Sequence, residues 1–324
     1  MAINVIIPVY CGHGKVNNAL NSLLTQTLKT FYVTLVVDGD GENYDDLVDE
    51  YERRGLNISI IYSKTNGGPG AARQIGIDHS SMFDYLYFLD QDDMLYPHCL
   101  KDLYSEAKKK NADIIDAGFV TERDGEPPQP ITIRQNKITW VHGRLYRRQY
   151  LIDNDIRFLP DLRLNEDAYF NVVAMNCTTN KYSLDEPVMI WCNNKDSLTR
   201  DKKGEDWFIK AWEGYIQSQC YGLRKIYDLL GEVKPGLLAA ELYNIYEHYM
   251  LAVIQKLPTN VADNYIHSML TGANFILDKA DNYDFWSWIS ENVKQSVWYK
   301  GDLHFFPVRF INWYNVFCKG ENNA

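Results

Sequence analysis

The chain has 324 residues, 46% of them apolar, enough to build a core in one large domain or two smaller ones. Its formal net charge of −10 speaks against a dedicated nucleic-acid binder, which carries a basic balance. The N-terminus lacks a basic leader, and no run approaches the roughly 20 apolar residues of a membrane span. A cytoplasmic protein, at most peripheral at a membrane, is the expectation.

Residues 3–9 are a β-branched run that predicts a buried strand, followed by a turn that starts at Tyr10. Val16, Ala19, Leu20, Leu23 and Leu24 then recur at helical spacing. Residues 32–37 predict a second strand ending in Asp38-Gly39-Asp40-Gly41, with a charged helix over 44–54. A third strand covers 58–62, and Asn66-Gly-Gly-Pro-Gly70 is a glycine-rich loop opening a helix at Ala71. Residues 85–89 are apolar and aromatic, which suits a buried strand, and stop abruptly at Asp90-Gln91-Asp92-Asp93.

Two readings of that ending are open. Three carboxylates at a strand exit repel one another, and a hard cation such as Mg²⁺ or Mn²⁺ relieves the repulsion and can hold a diphosphate. Alternatively, the turn is solvated and caps the next helix, predicted over 97–110. A strand over 112–118 follows. Strands alternating with helices imply a parallel sheet covered on both faces, with ligands beyond the carboxyl ends of the strands. All four polar turns lie at those ends, so one sheet brings them to one rim.

Residues 131–141 read as strand material, and His142-Gly-Arg-Leu-Tyr-Arg-Arg148 as a basic-aromatic stretch leading into a helix. Asn165-Glu166-Asp167 opens another helix, and 182–191 holds a strand or two. The charged stretch 195–203 marks the boundary between an α/β domain, 1–203, and a mostly helical one, 204–324, with helices over 208–230, 237–257, 261–277 and 285–297. Six cysteines, Cys11, Cys99, Cys177, Cys192, Cys220 and Cys318, show no metal-like spacing and are expected to be reduced core thiols.

Together these motifs resemble family-2 glycosyltransferases of the GT-A fold. Ile6-Ile-Pro-Val-Tyr10 resembles that family's first strand and turn, and Asn66 to Gly76 its glycine loop. Phe88-Leu-Asp-Gln-Asp-Asp93 resembles its DxD metal motif, Glu166-Asp167 its ED pair, and Ser197-Leu-Thr199 a downstream element. One departure is that Asp38 and Asp40 are separated by Gly39, where the family usually has adjacent aspartates.

The resemblance implies a Rossmann-like, mainly parallel central sheet followed by the helical domain. It implies an inverting, metal-dependent transfer of sugar from a nucleotide donor, a UDP-sugar, to an acceptor hydroxyl. Asp92, with Asp90, would hold Mn²⁺ or Mg²⁺ against the diphosphate, while Asp93 caps the next helix. Asp167 would be the general base, oriented by Glu166. Pro8, Tyr10 and either Asp38 or Asp40 would form the base pocket, with Gly68, Gly70, Arg73, Asp90 and Gln91 also on the donor. Arg144, Arg147, Arg148 and Lys195 would clamp the diphosphate or an anionic acceptor, or else form a solvated face; His142 would join the clamp or ligate the metal, or else be only hydrogen-bonded. A polysaccharide, a lipid-linked glycan, a protein or a modified nucleic-acid base all fit as acceptor, with residues 204–324 selecting it or joining a homo-oligomer. The rival readings are a nucleotidyltransferase on the same acidic site and a catalytically degenerate binding module.

Overall fold

The computed structural model describes residues 2–121, 132–134, 140–192, 205–233 and 237. Lys195, Ser197-Leu-Thr199, Cys318 and the helices expected over 237–257, 261–277 and 285–297 lie outside the described residues, apart from residue 237. The chain divides into two compact units, Met1–Lys202 and Lys203–Ala324. In chain order the first unit runs β1 (Ile3–Val9), α1 (Val16–Leu24), β2 (Phe31–Val37), α2 (Asp45–Arg53), β3 (Ile58–Tyr62), α3 (Pro69–Asp78), β4 (Tyr85–Phe88) and β5 (Met94–Leu95). It continues with α4 (Cys99–Lys110), β6 (Ile114–Thr121), β7 (Thr132–Arg134), β8 (Arg144–Arg147), α5 (Arg148–Asp153), α6 (Glu166–Asn176) and β9 (Lys181–Trp191). In the second unit, α7 spans Glu205–Leu230. No described helix is long and apolar enough to cross a membrane.

One sheet organises the first unit, in the order β3-β2-β1-β4-β8-β6-β9-β5, with β7 beside β6. Every residue of β1 is buried, as a continuous apolar run in an interior parallel strand requires. Its one polar side chain, Asn4, is satisfied within the core by Ser80 Oγ at 2.7 Å and by the Thr34 hydroxyl at 3.0 Å. Helix α3 packs close to β1 through Gly76, where an added Cβ would lie 2.4 Å from Ile6 Cγ2. The expected parallel order holds over β3, β2, β1 and β4.

Beyond β4 the sheet becomes mixed. Strand β8 runs antiparallel between β4 and β6, and β9 then pairs in parallel with β6. The basic-aromatic stretch therefore carries a strand as well as a helix start. Its buried Leu145 and Tyr146 stand between arginines, which hides the apolar pattern. Strand β5, two residues directly after the acidic turn, was likewise absent from the expected elements. Strands β1, β2, β3, β4, β6 and β9 point the same way, so their carboxyl ends share one rim.

Candidate active site

The rim gathers the turns as their positions in the chain require. Asp38, at the end of β2, is buried, and its two carboxylate oxygens accept the Gly67 and Gly68 N–H groups at 2.9 and 2.7 Å. It therefore shapes the glycine loop. Gly39, at φ +64°, lets this turn close on the loop, since a Cβ there would sit 2.4 Å from the Thr65 carbonyl carbon. Asp40 is half-buried and more open than Asp38; it accepts N–H groups from Cys11 at 2.8 Å and from Glu42 at 2.9 Å. Tyr10 is 48% exposed, next to buried Pro8 and Val9. Both of its backbone polar groups are bonded to the Gln91 amide, N–H to Oε1 and carbonyl to Nε2, each at 3.1 Å.

Arg73 holds the centre of the site. Carried inward on α3 and buried, it donates Nη2 to Asp90 Oδ1 at 2.6 Å and Nη1 to Glu166 Oε1 at 2.8 Å. Its charge is thus shared by two carboxylates. Burial alone would lower its pKa, but Asp90 and Glu166 hold it raised. Gly70 makes room for this contact: a Cβ there would meet Glu166 Cγ at 2.6 Å. Asn165 in the left-handed region, φ 59°, opens α6 so that Glu166 and Asp167 occupy its first turn.

Asp167, beside Glu166, is a strongly perturbed carboxylate. Burial first, and the neighbouring Glu166 charge second, push its pKa up to about 7, against the pull of Arg73. Burial also raises Glu166, opposed by its ion pair with Arg73. A group with this pKa can take a proton near neutrality. Half-buried Asp92 lies on the acidic turn two residues after Asp90. These oxygen donors fit a hard cation. Among the described residues no group of three or more His, Cys, Asp or Glu could hold a metal. Mg²⁺-like ions use one or two carboxylates and complete their shell with water and phosphate oxygens.

Other expectations need correcting. Asp93 caps no helix: it is buried and accepts the Cys192 N–H at 3.0 Å, while His98 is the N-cap of α4. Arg147 lies opposite Tyr85, at the far end of β4 from Asp90, where it bonds Ala112 O and pairs with Asp113 at 3.3 Å. An antiparallel strand places its two ends at opposite rims, so Arg147 lies at the rim opposite Asp90. Arg144, at the near end, is fully buried and donates to Trp140 O. His142 is buried among aromatic rings, and burial lowers its pKa to about 4. The core-thiol reading fails at Cys11, which is exposed; Cys99 and Cys220 are buried.

Two groups were not singled out from the sequence. The Tyr44 hydroxyl accepts the Gly12 N–H at 2.8 Å and lies 2.8 Å from both Asp40 Oδ2 and Glu42 Oε2, donating to one of them. The signal available was an aromatic residue just after the Asp38-Gly39-Asp40-Gly41 turn. Exposed Arg163 donates to Asn66 O at 3.2 Å, which puts a cation beside the glycine loop. Its position three residues before Glu166 was the available hint.

Comparison with known proteins gives the family and the fold. Residues 4–162 match the model of the family described as Glycosyl transferase family 2. The uncharacterized glycosyltransferase EpsJ of Bacillus subtilis is 30% identical over 249 residues, 71% of this chain and 70% of EpsJ. The Staphylococcus aureus poly(ribitol-phosphate) beta-N-acetylglucosaminyltransferase TarS is 27% identical over 266 residues, 78% of this chain but only 43% of TarS. In fold, a crystal structure of S. aureus TarS in complex with UDP-GlcNAc superimposes with TM-score 0.72 at 19% identity, covering 100% of this chain and 93% of that one. The mannosyltransferase PcManGT of Pyrobaculum calidifontis, in complex with GDP-Man and Mn²⁺, gives 0.55 at 12% identity, covering 98% and 87%. The fold is GT-A, and the chain belongs to glycosyl transferase family 2.

Proposed function

We propose that this glycosyltransferase moves a sugar from a UDP-sugar to an acceptor hydroxyl, with inversion, using Asp167 as general base. The observation that carries the reading is Arg73, whose guanidinium joins Glu166 to Asp90. That bridge ties the first turn of α6 to the acidic turn, so a base and an anion-facing site share one mouth. Relatives support the donor: TarS is named an N-acetylglucosaminyltransferase, and its crystal structures hold UDP or UDP-GlcNAc.

Asp40, Tyr10 and Pro8 face the nucleotide base, with Asp40 taking the contact that Asp38, spent on the loop, cannot. Gly68, Gly70 and Gln91 shape the donor wall. Arg163 takes the phosphate-facing part that Arg73 does not. Asp92 and Asp90 would hold Mn²⁺ or Mg²⁺, which supplies charge neutralisation for the departing diphosphate. Asp167 accepts the proton of the attacking hydroxyl, and Glu166 fixes the position and charge of Asp167. Residues 1–203 carry this chemistry, and residues 204–324 serve acceptor recognition or self-association.

The test is product analysis on the full chain with UDP-sugars and Mn²⁺. UDP is expected among the products, and EDTA is expected to stop its release. Pyrophosphate in place of UDP would point to a nucleotidyltransferase, and full activity in EDTA would remove the cation from Asp90 and Asp92.

A further inference from the structure

One buried polar pair takes no part in the chemistry above. Asn171 stands on α6 four residues after Asp167, so the two are neighbours on one helix face, with Cβ atoms about 5–6 Å apart. Helical side chains lean toward the helix N-terminus, which carries the Asn171 amide over the turn that holds Asp167. Asn171 is fully buried. Its Oδ1 accepts the Tyr146 hydroxyl of β8 at 2.5 Å, while its Nδ2 has no hydrogen-bond partner among the described residues.

Leaving a buried amide N–H unpaired is costly, so this donor calls for an acceptor. The rings packed on Tyr146, Phe88 and Phe170, offer none. The Asp167 carboxylate, one turn back, is an acceptor. Its Oδ1 takes the Ala168 N–H at 2.8 Å, which leaves Oδ2 to a side-chain donor. The Tyr146 hydroxyl lies within the field of that carboxylate. Burial raises its pKa, Asp116 and Asp167 add to the rise, and Arg144 and Arg73 oppose it.

We propose that Asn171 is a positioning residue for the base: its Nδ2, aimed by the Tyr146 hydroxyl, donates to Asp167 Oδ2 and favours the ionised carboxylate. This rests on Asp167 being the general base. The bond is not made in this structure; a rotation of the half-buried Asp167 side chain makes it. A carboxylate oxygen has two lone pairs, so Oδ2 keeps one for the proton of the attacking hydroxyl. The charged groups that bear on Asp167 are Glu166 beside it, Arg73 on α3 and Asp90 after β4. On β8, Arg144 and Tyr146 stand nearest to the pair.

The test is ¹⁵N NMR of the asparagine side-chain amides of the full chain with Mg²⁺ and UDP, titrated across neutrality. The Asn171 signals are identified by their loss in Asn171→Leu. They are expected to move with the midpoint of the acidic limb of kcat/KM, and to stop moving in Asp167→Asn. In kinetics, Asn171→Leu should shift that limb up by about one pH unit and lower kcat/KM at pH 7 about fivefold, with the Kd for UDP unchanged. Tyr146→Phe, which frees the amide to turn, should shift the limb the same way by less. If Asn171→Leu alone fails to fold, Asn171→Leu with Tyr146→Phe leaves no orphaned hydroxyl and reads the same shift. The proposal is overturned if the Asn171 signals do not titrate, or still titrate in Asp167→Asn, or if the limb stays in place in the folded variant. A limb moved to lower pH overturns it too, since that is the sign of an amide turned with Oδ1 toward a protonated Asp167. Wild-type kcat/KM in Asp167→Asn would instead bring down the base reading, and this inference with it.

Discussion

Asp167 owes its behaviour to its neighbours. Burial and the Glu166 charge raise its pKa to about 7, and Arg73 limits the rise. A general base works only when ionised, so kcat/KM should climb as pH rises through about 7 and level off above it. Replacing Glu166 by Gln removes one raising charge and leaves Arg73 paired with Asp90 alone, freeing more of its charge for Asp167, so the acidic limb should move to lower pH. A pH–rate profile of E166Q against wild type checks the sign. Asp167→Asn should lower kcat by at least about a hundredfold while the Kd for UDP, measured by calorimetry, stays within error. At this scale the sequence was only partly legible. Acidic residues in the right order marked Asp90, Asp92 and Asp167, but residue type could not say where each charge is spent. Arg73 serves two carboxylates, 17 and 93 positions away, and Asp38 serves two amides, 29 and 30 positions away, partners that only the fold brings together.

Among the elements, the contact between the start of α3 and the start of α6 matters most. Gly70 and Glu166 touch so closely that a methyl group on α3 forces the two helices apart. Gly70→Ala should therefore cost roughly 1–3 kcal/mol, read by urea unfolding, and lower kcat as Glu166 drags Asp167 out of place. The glycine loop announced itself in the sequence because only glycines permit such approach. The strands of the parallel half were equally plain, since burial on both faces leaves a continuous apolar run. Strand β8 was not. It has four residues, its ends are Arg144 and Arg147, and a fully buried arginine breaks any rule that equates charge with surface.

At the scale of the whole first unit, the sheet has two halves of different character. The parallel strands β3, β2, β1 and β4 lead into the turns proposed to hold the donor, and the mixed strands β8, β6 and β9 build the other flank of the sheet. Asp40→Ala should accordingly raise the donor KM about tenfold, the size of a lost charged hydrogen bond, and leave the acceptor KM unchanged in two-substrate kinetics. Alternating strands and helices made the first half legible; the second depends on long-range pairing that no local pattern announces. The side chain of Gln91 grips Tyr10 by both its N–H and its carbonyl, as a neighbouring strand would. The turn after β1 and the acidic turn after β4 are consequently latched together. Neither can swing away without unfastening the other, so on the proposed donor placement a shift at the base end of the nucleotide reaches the cation end.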